Sequence, residues 1–178
     1  MKLDIKNLIS TPFGQKESYN VELFNEKIDE DILAERTIGK VELTRLEDEI
    51  LAQFDIEAKV RMLCDRCLVE FKQKIPLSFS QEYLINRKVE VPRPVRHIRR
   101  AQHKQAHGKQ ARDKDDERPV VEKDFKIDIT EPIRQEALTH IPVQKLCEEK
   151  CKGLCAHCGA NLNVGKCKCK KSTPHLKI

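Results

Sequence analysis

A chain of 178 residues with 39% hydrophobic and 35% charged residues, no tryptophan and a net charge of +5 has room for one domain with a small appendage, built on a thin core. Its opening residues, Met1-Lys2-Leu3-Asp4-Ile5-Lys6, put charge where a secretory signal needs an apolar run, and no stretch approaches the roughly 20 apolar residues of a membrane span. These features argue against a secreted disulfide scaffold and a membrane protein, and they predict a soluble cytoplasmic chain whose thiols stay reduced.

Along the chain, weak strand signals come first, at residues 21–24 and 41–46. Residues 54–64 then alternate cleanly. Phe54, Ile56, Ala58, Val60, Met62 and Cys64 share one face, and Asp55, Glu57, Lys59 and Arg61 share the other. Residues 69–79 repeat the pattern with Val69, Phe71, Ile75, Leu77 and Phe79. A period of two marks half-buried strands, so the pair predicts a hairpin with Cys64-Asp65-Arg66-Cys67 at its turn.

From residue 86 to 118 the periodicity dissolves, Pro92 and Pro94 break structure, and no aromatic residue occurs. This reads as a flexible basic arm or linker. Residues 125–129 alternate as a short strand. Thr130 is then placed as N-cap of a helix with Glu131 and Pro132 in its first turn, and with Ile133, Ala137, Leu138 and Ile141 on one face until Pro142. The fold class expected is α+β: an antiparallel β-rich body, one or two short helices, and a small zinc-ribbon-like C-terminal segment. The divisions expected are a body over 1–86, an arm over 87–123, and a strand, helix and zinc-binding segment over 124–178 that packs back on the body.

All eight cysteines fall in close pairs. Cys155-Ala156-His157-Cys158-Gly159 is followed after a short loop by Cys167-Lys168-Cys169. Structural zinc takes four thiolates or imidazoles in a tetrahedron, and a CxxCG turn delivers two sulfurs from one tight loop. Cys155, Cys158, Cys167 and Cys169 therefore form one predicted zinc site. Cys64, Cys67, Cys147 and Cys151 form a possible second, although spacing alone leaves them open to a reduced structural pair. A redox role for Cys64 and Cys67 would want a helix N-terminus after the strand, and this pair sits between two strands instead. His157, His97, His103 and His107 read as solvated. No glycine-rich phosphate loop, serine elbow or HExxH occurs, and all-thiolate sites are typically closed, so no enzymatic activity and no small-molecule substrate are expected.

Charge is unevenly spread. Residues 87–112 net +8 and residues 145–178 net +6, which leaves −9 on the rest of the chain. Two basic regions on an acidic body suit an anionic polymer. The candidate phosphate contacts are Arg93, Arg96, Arg99, Arg100, Lys104, Lys109, Lys168, Lys170 and Lys171. A solvated linker, and lysines that merely offset thiolate charge, are the competing readings. The arm has no interleaved aromatics, so binding would rest on charge and shape rather than base stacking.

Leu63-Cys64-Asp65-Arg66-Cys67-Leu68 with Phe71 resembles the central CxRCL signature of the YceD family. The later run is similar to that family as well: Asp128-Ile129, Glu131-Pro132-Ile133, Ile141-Pro142, Cys147, Cys151-Lys152-Gly153-Leu154-Cys155, Cys158-Gly159, Asn161-Leu162-Asn163 and Cys167-Lys168-Cys169. The resemblance implies a non-catalytic role in accumulation or processing of large-subunit (23S) rRNA. The expected partner is 23S rRNA or a large-subunit precursor. The alternative is a ribosomal protein or assembly factor contacted by a zinc-stabilised interaction module.

Overall fold

The computed structural model describes residues 1–85 and 118–169. In chain order the elements are β1 (Lys2–Asp4), α1 (Lys6–Ser10), β2 (Lys16–Asp29), β3 (Ile32–Arg45), β4 (Glu49–Leu63), β5 (Glu70–Leu84), β6 (Lys126–Asp128) and α2 (Thr130–His140). β2-β3-β4-β5 form one antiparallel sheet in sequence order, and β1 pairs with β6 in a two-stranded sheet. The expected antiparallel, β-rich α+β architecture is what the chain adopts.

The alternation of β4 decides which face is buried. Ile50, Ala52, Phe54, Ile56, Ala58, Val60 and Met62 are all buried, while Gln53, Asp55, Lys59 and Leu63 between them are exposed. Side chains of period two go to opposite faces, so one face of the sheet is oily and the other wet. β3 cannot be read so simply. Its register against β4 shifts between Ala34 and Arg36, and the buried set changes parity from Ile32 and Ala34 to Thr37, Val41 and Leu43. An extra residue at a bulge has this consequence.

The oily face is covered by the short elements. Leu8 and Ile9 of α1, Ile127 and Ile129 around β6, and Ile133 and Ala137 of α2 join the sheet in one core cluster. Polar clamps fix the cover. Tyr83 Oη donates to the Asp128 carbonyl at 3.0 Å, Arg134 Nη1 to that of Ile28 at 3.1 Å, and Tyr19 Oη to that of Asp4 at 3.1 Å. Arg45 is buried, and among the described residues it forms no ion pair with a carboxylate. Its Nη1 donates to the Ile9 and Thr11 carbonyls at the end of α1, and its guanidinium lies 5.0 Å from the Phe13 ring centre.

The predicted N-cap of α2 is corrected. Thr130 is the first helical residue, its hydroxyl caps nothing in the helix, and Asp128 Oδ1 accepts the Thr130 N–H at 2.9 Å instead. Asp128 is a better acceptor for this purpose because it is a carboxylate placed beside the positive end of the helix. β5 closes with a short parallel bridge between Leu84 and Val120, where the Leu84 N–H donates to Pro119 O and the Val121 N–H to Leu84 O, both at 2.9 Å. The described segments on either side of residues 86–117 therefore meet at one place. Residues 86–117, which include most of the arm expected over 87–123, lie outside the described part, as do residues 170–178.

Candidate metal centres

Two turns set the geometry of the cysteines. In Cys64-Asp65-Arg66-Cys67 the Leu68 N–H donates to Cys64 O at 2.9 Å and the Cys64 N–H to Val69 O at 3.0 Å. The strict alternation of β4 aims Cys64 inward, and the tight turn then brings Cys67 to the same side. The loop closed by the antiparallel bridge of Leu154 with Asn161 repeats the pattern: Gly159 N–H to Cys155 O at 2.9 Å and Cys155 N–H to Ala160 O at 2.8 Å. Each turn presents two sulfurs.

The structure brings both predicted quartets together. Within Cys64, Cys67, Cys147 and Cys151, and again within Cys155, Cys158, Cys167 and Cys169, all four sulfurs lie within 4.8 Å of one another. In the first, the Cys64 and Cys151 sulfurs are 3.7 Å apart and those of Cys67 and Cys147 are 3.6 Å apart. Disulfide sulfurs would stand about 2.05 Å apart. A tetrahedron with metal–sulfur bonds of about 2.3 Å has edges of about 3.8 Å, which these separations approach. Both quartets are thus able to hold a metal ion.

The two differ in surroundings. Cys64, Cys67 and Cys151 are buried and packed with Phe71, Leu146 and Leu154, whereas Cys158 is exposed and its three partners are half-buried. Burial opposes the Cys64 thiolate, but backbone N–H groups of Cys147, Cys67 and Arg66 outweigh it and bring that thiol down to about 6. Backbone N–H groups of His157 and Cys158 do the same for Cys155, also to about 6. Desolvation pushes Cys147 up to about 12. For Cys169 the hydrogen-bonded neighbour Cys158, followed by burial, has the same effect, to about 12. Cys64 and Cys155, one in each quartet, therefore ionise more readily than a free thiol.

The tail is gripped by the first turn. The Asp65 N–H donates to Lys145 O at 2.8 Å and Asp65 Oδ2 accepts the Lys145 N–H at 2.7 Å. Arg66 Nη1 donates to Cys151 O at 3.1 Å, and Arg66 O accepts the Leu154 N–H at 3.1 Å. Gly153, at φ +73°, permits this approach, since a Cβ there would stand 3.0 Å from Arg66 O. His157 is exposed and is not among the sulfur quartets. Sequence reasoning missed a role for Asn163, whose side-chain nitrogen donates to Cys151 Sγ at 3.2 Å. The Asn-x-Asn spacing was a signal, because Asn161 Oδ1 accepts the Asn163 N–H at 2.9 Å and forms a local turn.

Of the predicted phosphate contacts, Lys168 is exposed between Cys167 and Cys169. Arg93, Arg96, Arg99, Arg100, Lys104, Lys109, Lys170 and Lys171 lie outside the described residues. Among the described residues no helix is long and apolar enough to cross a membrane.

The family described as "Large ribosomal RNA subunit accumulation protein YceD" matches residues 52–177, a span that contains both quartets. Two curated proteins are similar over shorter stretches, both named "Large ribosomal RNA subunit accumulation protein YCED homolog 1, chloroplastic". The one from Arabidopsis thaliana is 46% identical over 43 residues, covering 24% of this chain and 13% of that protein. The one from Zea mays is 42% identical over 64 residues, covering 35% of this chain and 22% of that protein. The matches thus span less than a quarter of those relatives' lengths. No solved structure matches.

Proposed function

This chain belongs to the YceD family, and from that premise we propose that it is a non-catalytic factor in the accumulation of large-subunit (23S) rRNA. In this reading it binds the rRNA or its precursor particle in a reducing compartment. Residues 87–112 and the lysines of the cysteine-rich lobe make the phosphate contacts, and structural zinc holds both quartets. Zinc suits eight thiol donors because soft thiolate ligands favour it and four of them close its coordination shell.

The observation that supports the RNA reading is the density of unengaged lysines around the quartets. On the sheet Lys16, Arg36, Lys72 and Lys74 each close on a carboxylate, at 2.6, 2.8, 2.7 and 2.9 Å, while Lys27, Lys40 and Lys59 are spread over separate strands without an ion pair among the described residues. In the lobe Lys150, Lys152, Lys166 and Lys168 are exposed, and none forms an ion pair among the described residues. A zinc tetrathiolate carries about two negative charges, which would repel a polyanion. Four unengaged lysines beside such centres offset that repulsion and leave donors for phosphate oxygens.

The test is binding of reduced, zinc-loaded protein to 23S rRNA fragments across a salt series. Affinity is expected to fall steeply with salt. Replacing Arg96, Arg99, Arg100 and Lys104 with Ser should flatten the slope by roughly one unit per lost contact, and the same exchange at Lys150, Lys152, Lys166 and Lys168 tests the lobe separately. An unchanged slope in the first variant makes residues 87–112 a linker. A second reading has support from the exposed Asp29-Glu30-Asp31 turn on an acidic body, which suits a basic ribosomal protein or assembly factor. Wild-type protein that binds no RNA at any salt, while its loss still lowers 23S against 16S rRNA, would put that reading first.

A further inference from the structure

Asn163 belongs to neither quartet, yet it is tied to both, to one by contact and to the other by its place in the chain. It lies in the loop between Cys158 and Cys167, which the second centre closes, and its amide reaches the Cys151 sulfur of the first. The orientation of that amide is fixed by chemistry. The Lys152 N–H stands 2.7 Å from Asn163 Oδ1, and a backbone N–H can only donate. The oxygen must therefore face Lys152, and the NH₂ group must face sulfur.

Cys151 needs that donor. It is buried and packed with Phe71, Leu146 and Leu154 beside the other three sulfurs, and a thiolate taken out of water without a hydrogen bond is costly. Groups that hydrogen-bond a metal ligand set its orientation and charge, and losing one typically lowers metal affinity by about 10- to 100-fold. Here the donor is carried on the other centre's loop. The local Asn161–Asn163 turn and the Leu162 N–H to Gly153 O bond at 2.9 Å hold this loop against the segment 151–155.

We propose that Asn163 is a positioning residue that couples the two metal centres, so that filling either one raises the affinity of the other. This rests on the reading of both quartets as metal sites. Closing the second quartet fixes the 159–166 loop and so aims Asn163 at Cys151. A metal-charged thiolate at Cys151 in turn draws the Asn163 donor and orders the loop. Coupling of this kind is reciprocal by thermodynamic necessity.

The experiment is cobalt(II) titration of the full reduced chain, read by sulfur-to-cobalt charge-transfer absorption. It uses wild type, Asn163→Ala, Asn163→Asp, the double variant Cys158→Ser/Cys167→Ser, and that double variant combined with Asn163→Ala. Disabling the second quartet should weaken the first by roughly tenfold in the wild-type background and by little when Asn163 is Ala. Asn163→Asp keeps the acceptor for Lys152 but replaces the N–H donor with a carboxylate. It should lower cobalt affinity at least as much as Ala and shift the charge-transfer band. Far-UV circular dichroism of each variant checks that the sheet persists. Strictly additive effects, or an Asp variant that matches wild type, would overturn the coupling while leaving the metal sites standing. Absence of any thiolate–cobalt absorption in the wild type would remove both.

Discussion

Leu68 and Gly159 hold the same position in two turns with the same hydrogen-bond pattern. Each follows the second cysteine of a CxxC pair, and each donates its N–H to the first cysteine's carbonyl at 2.9 Å. Each also has left-handed backbone angles, φ +57° and +68°. Glycine takes this conformation freely, whereas a side chain costs about 1–2 kcal/mol there. Leu68 is 63% exposed, so little burial offsets that cost. Leu68→Gly should therefore stabilise the zinc-loaded protein by about 0.5 kcal/mol after the entropy that glycine adds to the unfolded chain. Gly159→Ala should destabilise the second turn by about 1 kcal/mol. Urea denaturation of the loaded proteins measures both, and equal losses in the two variants would contradict the assignment.

Gly39 is the sharpest steric constraint in the sheet. A Cβ there would lie 2.3 Å from Asp55 O and 2.5 Å from Ile56 Cα, which are backbone atoms of the neighbouring strand. No rotamer relieves such a clash, so β3 and β4 must separate. Gly39→Ala is expected to cost at least about 3 kcal/mol, at the upper end for overpacking. Gly165→Ala, with open space around the new methyl, should stay within about 0.5 kcal/mol. Thermal unfolding of the two variants side by side checks the contrast.

Metal affinity should steepen with acidity below about pH 6. Metal ligation requires thiolates, so affinity falls with pH in proportion to the protons displaced on binding. Above 6 the Cys64 and Cys155 thiols, both near 6, are already ionised and contribute none, while Cys147 and Cys169, near 12, still give up theirs. As pH drops through 6 the first two add to the count. Competition with a colorimetric chelator between pH 5 and 8 should show fewer than eight protons released for two metal ions at pH 7.5 and a larger number at pH 5. A slope constant across that range would contradict the ionised state of Cys64 and Cys155.

Asp65 should control how fast the first centre lets go. It holds residue 145 by its backbone N–H and by its carboxylate, which accepts the Lys145 N–H, and so fixes the approach of Cys147 and Cys151. Asp65→Ala is expected to speed chelator-driven metal loss from the first quartet by about tenfold, with the second unchanged. Alkylation of the loaded wild type should modify exposed Cys158 before buried Cys64, and mass spectrometry of digests reads both outcomes.

Much of this was legible in the residues. The β4–β5 hairpin showed itself because its two faces separate apolar from polar residues over most of their length, with few exceptions such as Gln73. β2 and β3 showed only fragments at 21–24 and 41–46. The bulge near Ala34–Arg36 reverses parity within β3, and the wet face of the sheet supplies charges that look like loop. α1, at five residues, is too short for a helical period to register, and its burial of Leu8 and Ile9 comes from tertiary packing. The second quartet was readable from local spacing. The partnership of Cys67 with Cys147, 80 residues apart, depends on Asp65, Arg66 and Gly153 meeting across the fold, and no local pattern encodes that.

The separation of Cys67 and Cys147 also says how much freedom the intervening chain has. Closing a loop costs entropy that grows only with the logarithm of its length. Removing all 32 residues from 86 to 117 would shorten the closed segment from 80 to about 48 and change that entropy by only about 0.5 kcal/mol. Because the Leu84–Val120 bridge already joins the two described segments, the first cysteine quartet and the sheet depend little on the number of residues between them. The number of residues between Leu84 and Val120 is thus open to change at almost no closure penalty to the first quartet.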